Sequence, residues 1–261
     1  MSSALAIASG KGGVGKTTMA VNLALIQASK SKCLLLDADM GMANAHILLG
    51  INPELSIRDV IDGKCELEKI ISTGPNSLNF ISGGSGITEM LGVDSTKRLN
   101  FIRGFESLSS SIDNLIVDVS AGAEDVSLKM LSATDKILIV LVNEPTSFMD
   151  AFTLIKVCKL ELGLKEFCVT INMVNSEQQG KNIFSRFSDI VTKFYDVNLT
   201  YVGSLPLRNN IKRSILNKKP VVMEKNSGDT KTIFSSILDK INLAPINNFS
   251  GIKFFNNTIK Y

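Results

Sequence analysis

Gly10-Lys11-Gly12-Gly13-Val14-Gly15-Lys16-Thr17-Thr18 follows an apolar run, Leu5 to Ala8, precedes a stretch of helical spacing, and satisfies the pattern G-x-x-x-x-G-K-[ST]. Strand, glycine loop and helix in that order are what phosphate binding needs. The glycines let successive backbone N–H groups curl around phosphate oxygens, and the following helix turns its positive N-terminal end toward the same point. Lys16 is expected to meet the β and γ phosphates of a nucleoside triphosphate, and Thr17 to ligate Mg²⁺. Residues 10 to 18 are therefore the candidate nucleotide-binding loop. Its second lysine, Lys11, is surplus to one phosphate site: it is either a solvated loop residue or serves a second nucleotide.

Outward from the loop, short apolar runs alternate with longer helical segments: Leu5 to Ala8, Cys33 to Leu36, Leu78 to Ile81, Leu115 to Val117, Ile137 to Val142, Val169 to Ile171, Tyr201 to Val202. Continuous rather than alternating hydrophobicity marks strands buried on both faces. The pattern predicts an α/β fold, a mostly parallel central sheet with helices on both faces. Ligands in such folds bind beyond the carboxyl ends of strands, and the polar residues there are informative. Asp37 and Asp39 close the Leu34-Leu35-Leu36 strand two residues apart, a spacing that sends both side chains to one face. Leu115-Ile116-Val117 delivers Asp118, and Val169 to Ile171 delivers Asn172. Each acid alone is equally well explained as a turn residue or helix cap; all three beside a phosphate loop point to a cation.

Composition narrows the class. The chain has 261 residues, 44% apolar content and a formal charge of +3, which suits one large domain and no general polyanion surface. The four cysteines, Cys33, Cys65, Cys158 and Cys168, show neither C-x-x-C pairing nor ligand spacing and read as reduced thiols of a cytoplasmic protein. Met1 to Ser9 is too short and lacks the basic start of a signal peptide, and Ile137 to Val142 is far below membrane-spanning length.

Lys-Gly-Gly-Val-Gly-Lys-Thr-Thr at 11 to 18 resembles the deviant Walker A signature of the MinD/ParA ATPases. Asp37 to Asn44 followed by His46 to Gly50 resemble the flagellar-number regulators of that family, the FlhG or FleN branch, more than the septum-placing MinD branch; Ser250 to Phe255 resembles the tail of the flagellar members, and Asn143 to Phe152 resembles a segment shared by both branches. The resemblance runs over nearly the whole chain. It implies an ATP-dependent homodimer in which Lys11 crosses to the partner's phosphates, with slow, dimer-dependent hydrolysis carried by Lys11, Lys16 and Asp39 and with ATP and Mg²⁺ as cofactors. Thr17, Asp37, Asp39 and Asp118 would form the Mg²⁺ environment, Asn172 would recognise adenine, and Pro206 in Leu205-Pro206-Leu207 would pack near the base, where the family commonly has an acid in place of Arg208. Asp150 is a candidate partner contact; local chemistry offers instead a capping box of Ser147 with Asp150. Implied partners are an activator of flagellar transcription, the membrane surface and a signal-recognition-type GTPase. Stimulation of that GTPase is not expected with only Met1 to Ala4 ahead of the first strand. A division-site or DNA-partition ATPase, to which Lys212, Arg213, Lys218 and Lys219 would lend a basic surface, is the main alternative, although no direct nucleic-acid contact is expected. A metabolic P-loop kinase, ligase or metal-cluster reductase is a further one.

Residues 1 to 244 are expected to form the ATPase domain. From Ala244-Pro245 the pattern breaks, leaving 245 to 261 as a tail. Ile252, Phe255 and Ile259 share one helical face, and with Phe254 they suit either lipid or the domain itself. Burying three such side chains is worth roughly 5 to 9 kcal/mol before ordering costs, marginal for one tail and sufficient for two on a dimer. Lipid contact would place the ATP-bound form peripherally at the inner membrane face.

Overall fold

The aliphatic runs become strands, most of them longer than their apolar cores. The computed structural model describes residues 2–39, 44–83, 101–102, 104–224, 227–248 and 251–255. Among them β1 (Ser3–Ala8), β2 (Cys33–Ala38), β3 (Ser72–Thr73), β4 (Asn79–Ser82), β5 (Asn114–Val119), β6 (Lys136–Val142), β7 (Glu166–Val174) and β8 (Asn198–Pro206) form one sheet in the order β3-β4-β2-β5-β1-β6-β7-β8. All neighbours are parallel except β3 and β4. The helices are α1 (Lys16–Ala28), α2 (Ala45–Leu49), α3 (Ile57–Ile61), α4 (Asp125–Ser132), α5 (Pro145–Leu162), α6 (Glu177–Phe194), α7 (Asn209–Leu216) and α8 (Asp229–Leu243).

Strand side chains alternate between two buried layers, which is why the runs carry no polar face. Ala4, Ala6 and Ala8 of β1 join the cluster that holds α4, α5 and α6. Leu5 and Ile7 join the one that holds α1 and α8. The expected sheet with helices on both faces is the fold observed. At β1, flanked by β5 and β6, strand order reverses, and a crevice opens there beyond the carboxyl ends.

Two local expectations are replaced. The first turn of α5 is built by Pro145 at its start with Glu144 as N-cap. Ser147 lies inside the helix, buried, its hydroxyl accepting the Val142 N–H at 3.2 Å, so Ser147 and Asp150 form no capping box. The tail is not detached either. Asn247 is buried, its side-chain oxygen accepts the N–H groups of Lys165 (3.0 Å) and Glu166 (2.9 Å), and its amide donates to the Glu166 carbonyl at 2.7 Å. Asp135, just ahead of β6, joins β1 to the tail by accepting from Ala4 N–H and Lys253 Nζ, each at 2.9 Å.

Phe254 donates its N–H to the Ala133 carbonyl at 3.1 Å, and its ring meets Phe105 edge to face with centroids 5.0 Å apart. Phe254 and Phe255 are 0% and 2% exposed, and Ile252 packs partly buried against the same cluster. The expected lipid face of Ile252, Phe254 and Phe255 is thus a domain face. Apolar spacing fixes which side chains leave water but not what receives them, and residues 251–255 form no helix. Ile259 and Met40 to Ala43 lie outside the described residues. No described helix is long and apolar enough to cross a membrane.

Candidate functional site

A cavity of about 570 Å³ opens over the carboxyl ends of the strands, floored by the glycine loop and walled by Asp39, Asn172, Pro206 and Arg208. Two glycines in the loop are there because no side chain fits. A Cβ on Gly10 would lie 2.1 Å from the backbone carbon of Asp150, so the start of the loop rests directly on α5. Gly15 has φ 90°, a left-handed conformation, and a Cβ there would lie 2.4 Å from Asn172 Nδ2. Gly10→Ala is therefore expected to force loop and helix apart, costing about 1–3 kcal/mol and weakening nucleotide binding. Thermal unfolding and nucleotide titration check this, and an unchanged midpoint would show that the loop can back away.

Lys16 begins α1 and is 7% exposed, with its ammonium 2.7 Å from Asp118 Oδ1 and 3.5 Å from Asp39 Oδ2. The two strand-end acids compensate the charge that a triphosphate would otherwise meet. Asp118 is fully buried, accepts from Lys16 through Oδ1, and keeps its other oxygen, Oδ2, without a hydrogen-bond partner among the described residues. Burial pushes this carboxyl above its ordinary range, against the pull of Lys16. A buried carboxylate oxygen that lacks a donor, beside a threonine hydroxyl at the foot of a phosphate loop, fits a hydrated Mg²⁺. Among the described residues no group of three His, Cys, Asp or Glu side chains could hold a metal ion.

Asp37 departs from its expected place. β2 stops at Ala38, so the two-residue alternation does not carry Asp39 along with Asp37. Asp37 is fully buried and absent from the cavity wall, and its two oxygens accept the N–H groups of Asp39 (3.3 Å) and Ala45 (3.0 Å). Burial, with the charge of Asp118 opposite, pushes it up to about 7. It ties Asp39 to Ala45 at the start of α2, whereas Asp39 reaches the cavity and also meets Ser120 Oγ at 3.5 Å.

Asn172 sits at a bulge between β7 and β8. Its amide donates to the Val14 carbonyl at 2.7 Å and its oxygen accepts the Met173 N–H at 2.9 Å, so it ties the far wall to the glycine loop. Pro206 lines the same wall. Arg208 forms a two-pronged pair with Asp229 at the start of α8, Nη2 to Oδ2 at 2.6 Å and Nη1 to Oδ1, which anchors the loop after β8.

Lys11 stands at the mouth of the cavity. Its ammonium lies 2.6 Å from Glu144 Oε2 and 3.1 Å from Thr146 Oγ1, both at the entry to α5, and its side chain is 38% exposed. Glu144 and Thr146 were assigned no chemistry from sequence; an acid just ahead of a helix-starting proline is a ready partner for a cation, but nothing local says which one. Asp150 carries its carboxylate on α5 with no partner among the described residues.

The ParA family model, described as NUBPL iron-transfer P-loop NTPase, matches residues 1–242. The chain is 34% identical over 243 residues to the antiactivator FleN of Pseudomonas aeruginosa, covering 93% of this chain and 87% of that protein. It is 28% identical over 239 residues to the flagellum site-determining protein YlxH of Helicobacter pylori, covering 91% and 79%. The solved MinD cell division protein of Aquifex aeolicus shares the fold, with a TM-score of 0.74 and 24% identity over 92% of this chain and 97% of that one. With the phosphate loop, the paired lysines and the strand-end acids at its centre, the chain belongs to the ParA/MinD family of P-loop nucleoside triphosphatases.

Proposed function

We propose that this chain is an ATP-dependent dimerising switch that regulates flagellar number and placement, an anti-activator of flagellar gene expression that hydrolyses ATP slowly after two copies have closed over their nucleotides. The observation that carries the reading is the 34% identity to antiactivator FleN across 93% of the chain. The site is consistent with it. Gly10 to Thr18 would bind the triphosphate. Thr17 and Asp118, with Asp39, would hold Mg²⁺, which when bound neutralises charge on the phosphates. Lys16 would leave its carboxylate partners for the β and γ phosphates. Asp39 would orient water, and Asn172 and Pro206 would flank the base. Lys11, held at the mouth by an exposed pair worth at most about 1 kcal/mol, is free to move to a neighbouring subunit at little cost.

The protein partner in this reading is the activator of flagellar transcription, with Asp150 as a contact. Membrane attachment is not assigned to the tail, whose Phe254 and Phe255 are in the core. Iron transfer finds no support in the cysteines. Burial pushes the thiols of Cys33 and Cys158 up to about 12 and that of Cys168 up to about 11, and none of the four cysteines lines the cavity.

Deleting the gene and counting flagella per cell tests the cellular role, with more flagella and raised flagellar transcripts expected. Unchanged counts and transcripts would discard it. Sedimentation of the pure protein with Mg²⁺ and a non-hydrolysable ATP analogue tests the switch separately: a dimer is expected, and a monomer at saturating nucleotide rules the switch out.

A further inference from the structure

Between Asp196 and Glu224 the chain carries Arg208, Lys212, Arg213, Lys218 and Lys219 and no acid, although its total formal charge is only +3. The remainder is net acidic, so the positive excess is concentrated on α7 and the turn that follows it. Arg208 is neutralised by Asp229. The side chains of Lys212, Arg213, Lys218 and Lys219 are exposed and pair with nothing among the described residues. Like charges crowded on one short helix repel one another, and an anionic partner would relieve that repulsion.

The helix also carries apolar surface in the same place. Leu216, between Arg213 and Lys218, is 80% exposed, and Ile215 is 43% exposed. The opposite side faces the domain: Ser214 is buried, its hydroxyl donating within the helix to the Ile211 carbonyl at 2.8 Å. A lone exposed leucine is ordinary. One set among four unpaired cations has a specific fit, because a bilayer offers phosphate headgroups to the cations and acyl chains to the leucine at a single depth.

We propose that α7 and the turn at 217–219 form a docking surface for an anionic lipid bilayer. Nucleic-acid phosphates would satisfy the cations but leave Leu216 without a partner, and neither α7 nor the turn carries an aromatic side chain on which a base could stack. The surface adjoins the nucleotide cavity, whose wall includes Ile211, Lys212 and Ile215. Nucleotide binding and bilayer docking therefore act on one helix. The proposal rests on this surface alone and is independent of the flagellar reading.

The test is co-sedimentation of the full chain with phosphatidylcholine vesicles with and without phosphatidylglycerol, at low and high salt, and with duplex DNA in parallel. Binding is expected to the phosphatidylglycerol vesicles only and to fall with salt. Each basic side chain at an anionic surface accounts for about fivefold in affinity, so Arg213→Gln with Lys218→Gln and Lys219→Gln should weaken binding roughly a hundredfold. Lys212 is left in place because it lines the cavity. Leu216→Ser keeps every charge and should weaken binding several-fold with an unaltered salt response, at an unchanged thermal midpoint. Absence of binding to phosphatidylglycerol vesicles overturns the proposal, as does wild-type vesicle binding by the triple variant or by Leu216→Ser. Binding to DNA alone, lost in the triple variant and retained by Leu216→Ser, would make the surface one for nucleic acid.

Discussion

Lys11→Ala is expected to lower ATP turnover by about a thousandfold or more while leaving ATP affinity within a few-fold of wild type, the behaviour of a cation supplied across an interface. The geometry separates Lys11 from Lys16 in kind. Lys16 is buried on Asp118 at the foot of the loop, from which it would turn onto the phosphates in the proposed switch. Lys11 lies at the mouth on Glu144, 38% exposed, so its removal takes nothing from the phosphate cradle. Glu144→Ala makes the complementary variant. It frees Lys11 from its resting partner, and because exposed pairs contribute at most about 1 kcal/mol, stability should hardly change and turnover should persist. Single-turnover hydrolysis and nucleotide titration on the two variants decide the point. Wild-type turnover by Lys11→Ala would remove the cross-subunit role and leave the lysine a loop residue.

Phe254→Ala carries the second large effect, an expected loss of about 3–5 kcal/mol of stability and a fall in Tm on the order of 10 °C for a chain of this size. The ring is fully buried, meets Phe105 edge to face at 5.0 Å, and its backbone is fixed to Ala133. Removing it opens a cavity between the tail and the short helical stretch at 104–107. Calorimetry on the full chain reads this directly. A variant that keeps its midpoint but loses affinity for vesicles would return Phe254 to the lipid.

The contrast between these two residues shows what the sequence makes legible. The phosphate loop is contiguous and its chemistry is dictated by residue type at fixed spacing, so the loop, the strand before it and the helix after it could be read directly. Asp118 lies within β5, as its apolar run implies, and Asp39 follows directly after β2. Tertiary partners could not be read. Lys11 finds Glu144 across 133 residues, and Asn172 finds Val14 across 158. The tail's apolar spacing was visible, but a lipid face and a core face look alike from one chain segment. β3, two residues long with no apolar run, gave no signal at all. The spacing aims Asp37 and Asp39 together, and they part because the alternation stops with the strand at Ala38, one residue short of Asp39.

The contact between Gly10 and the backbone at Asp150 has a mechanical meaning. No side chain separates the two backbone segments there, so loop and helix are in direct contact. Any displacement of the loop would be felt in the first turns of α5, where Met149 is 64% exposed. An outside protein seated on those turns could sense the occupancy of the cradle without touching it, through a pivot made of a single missing methyl group.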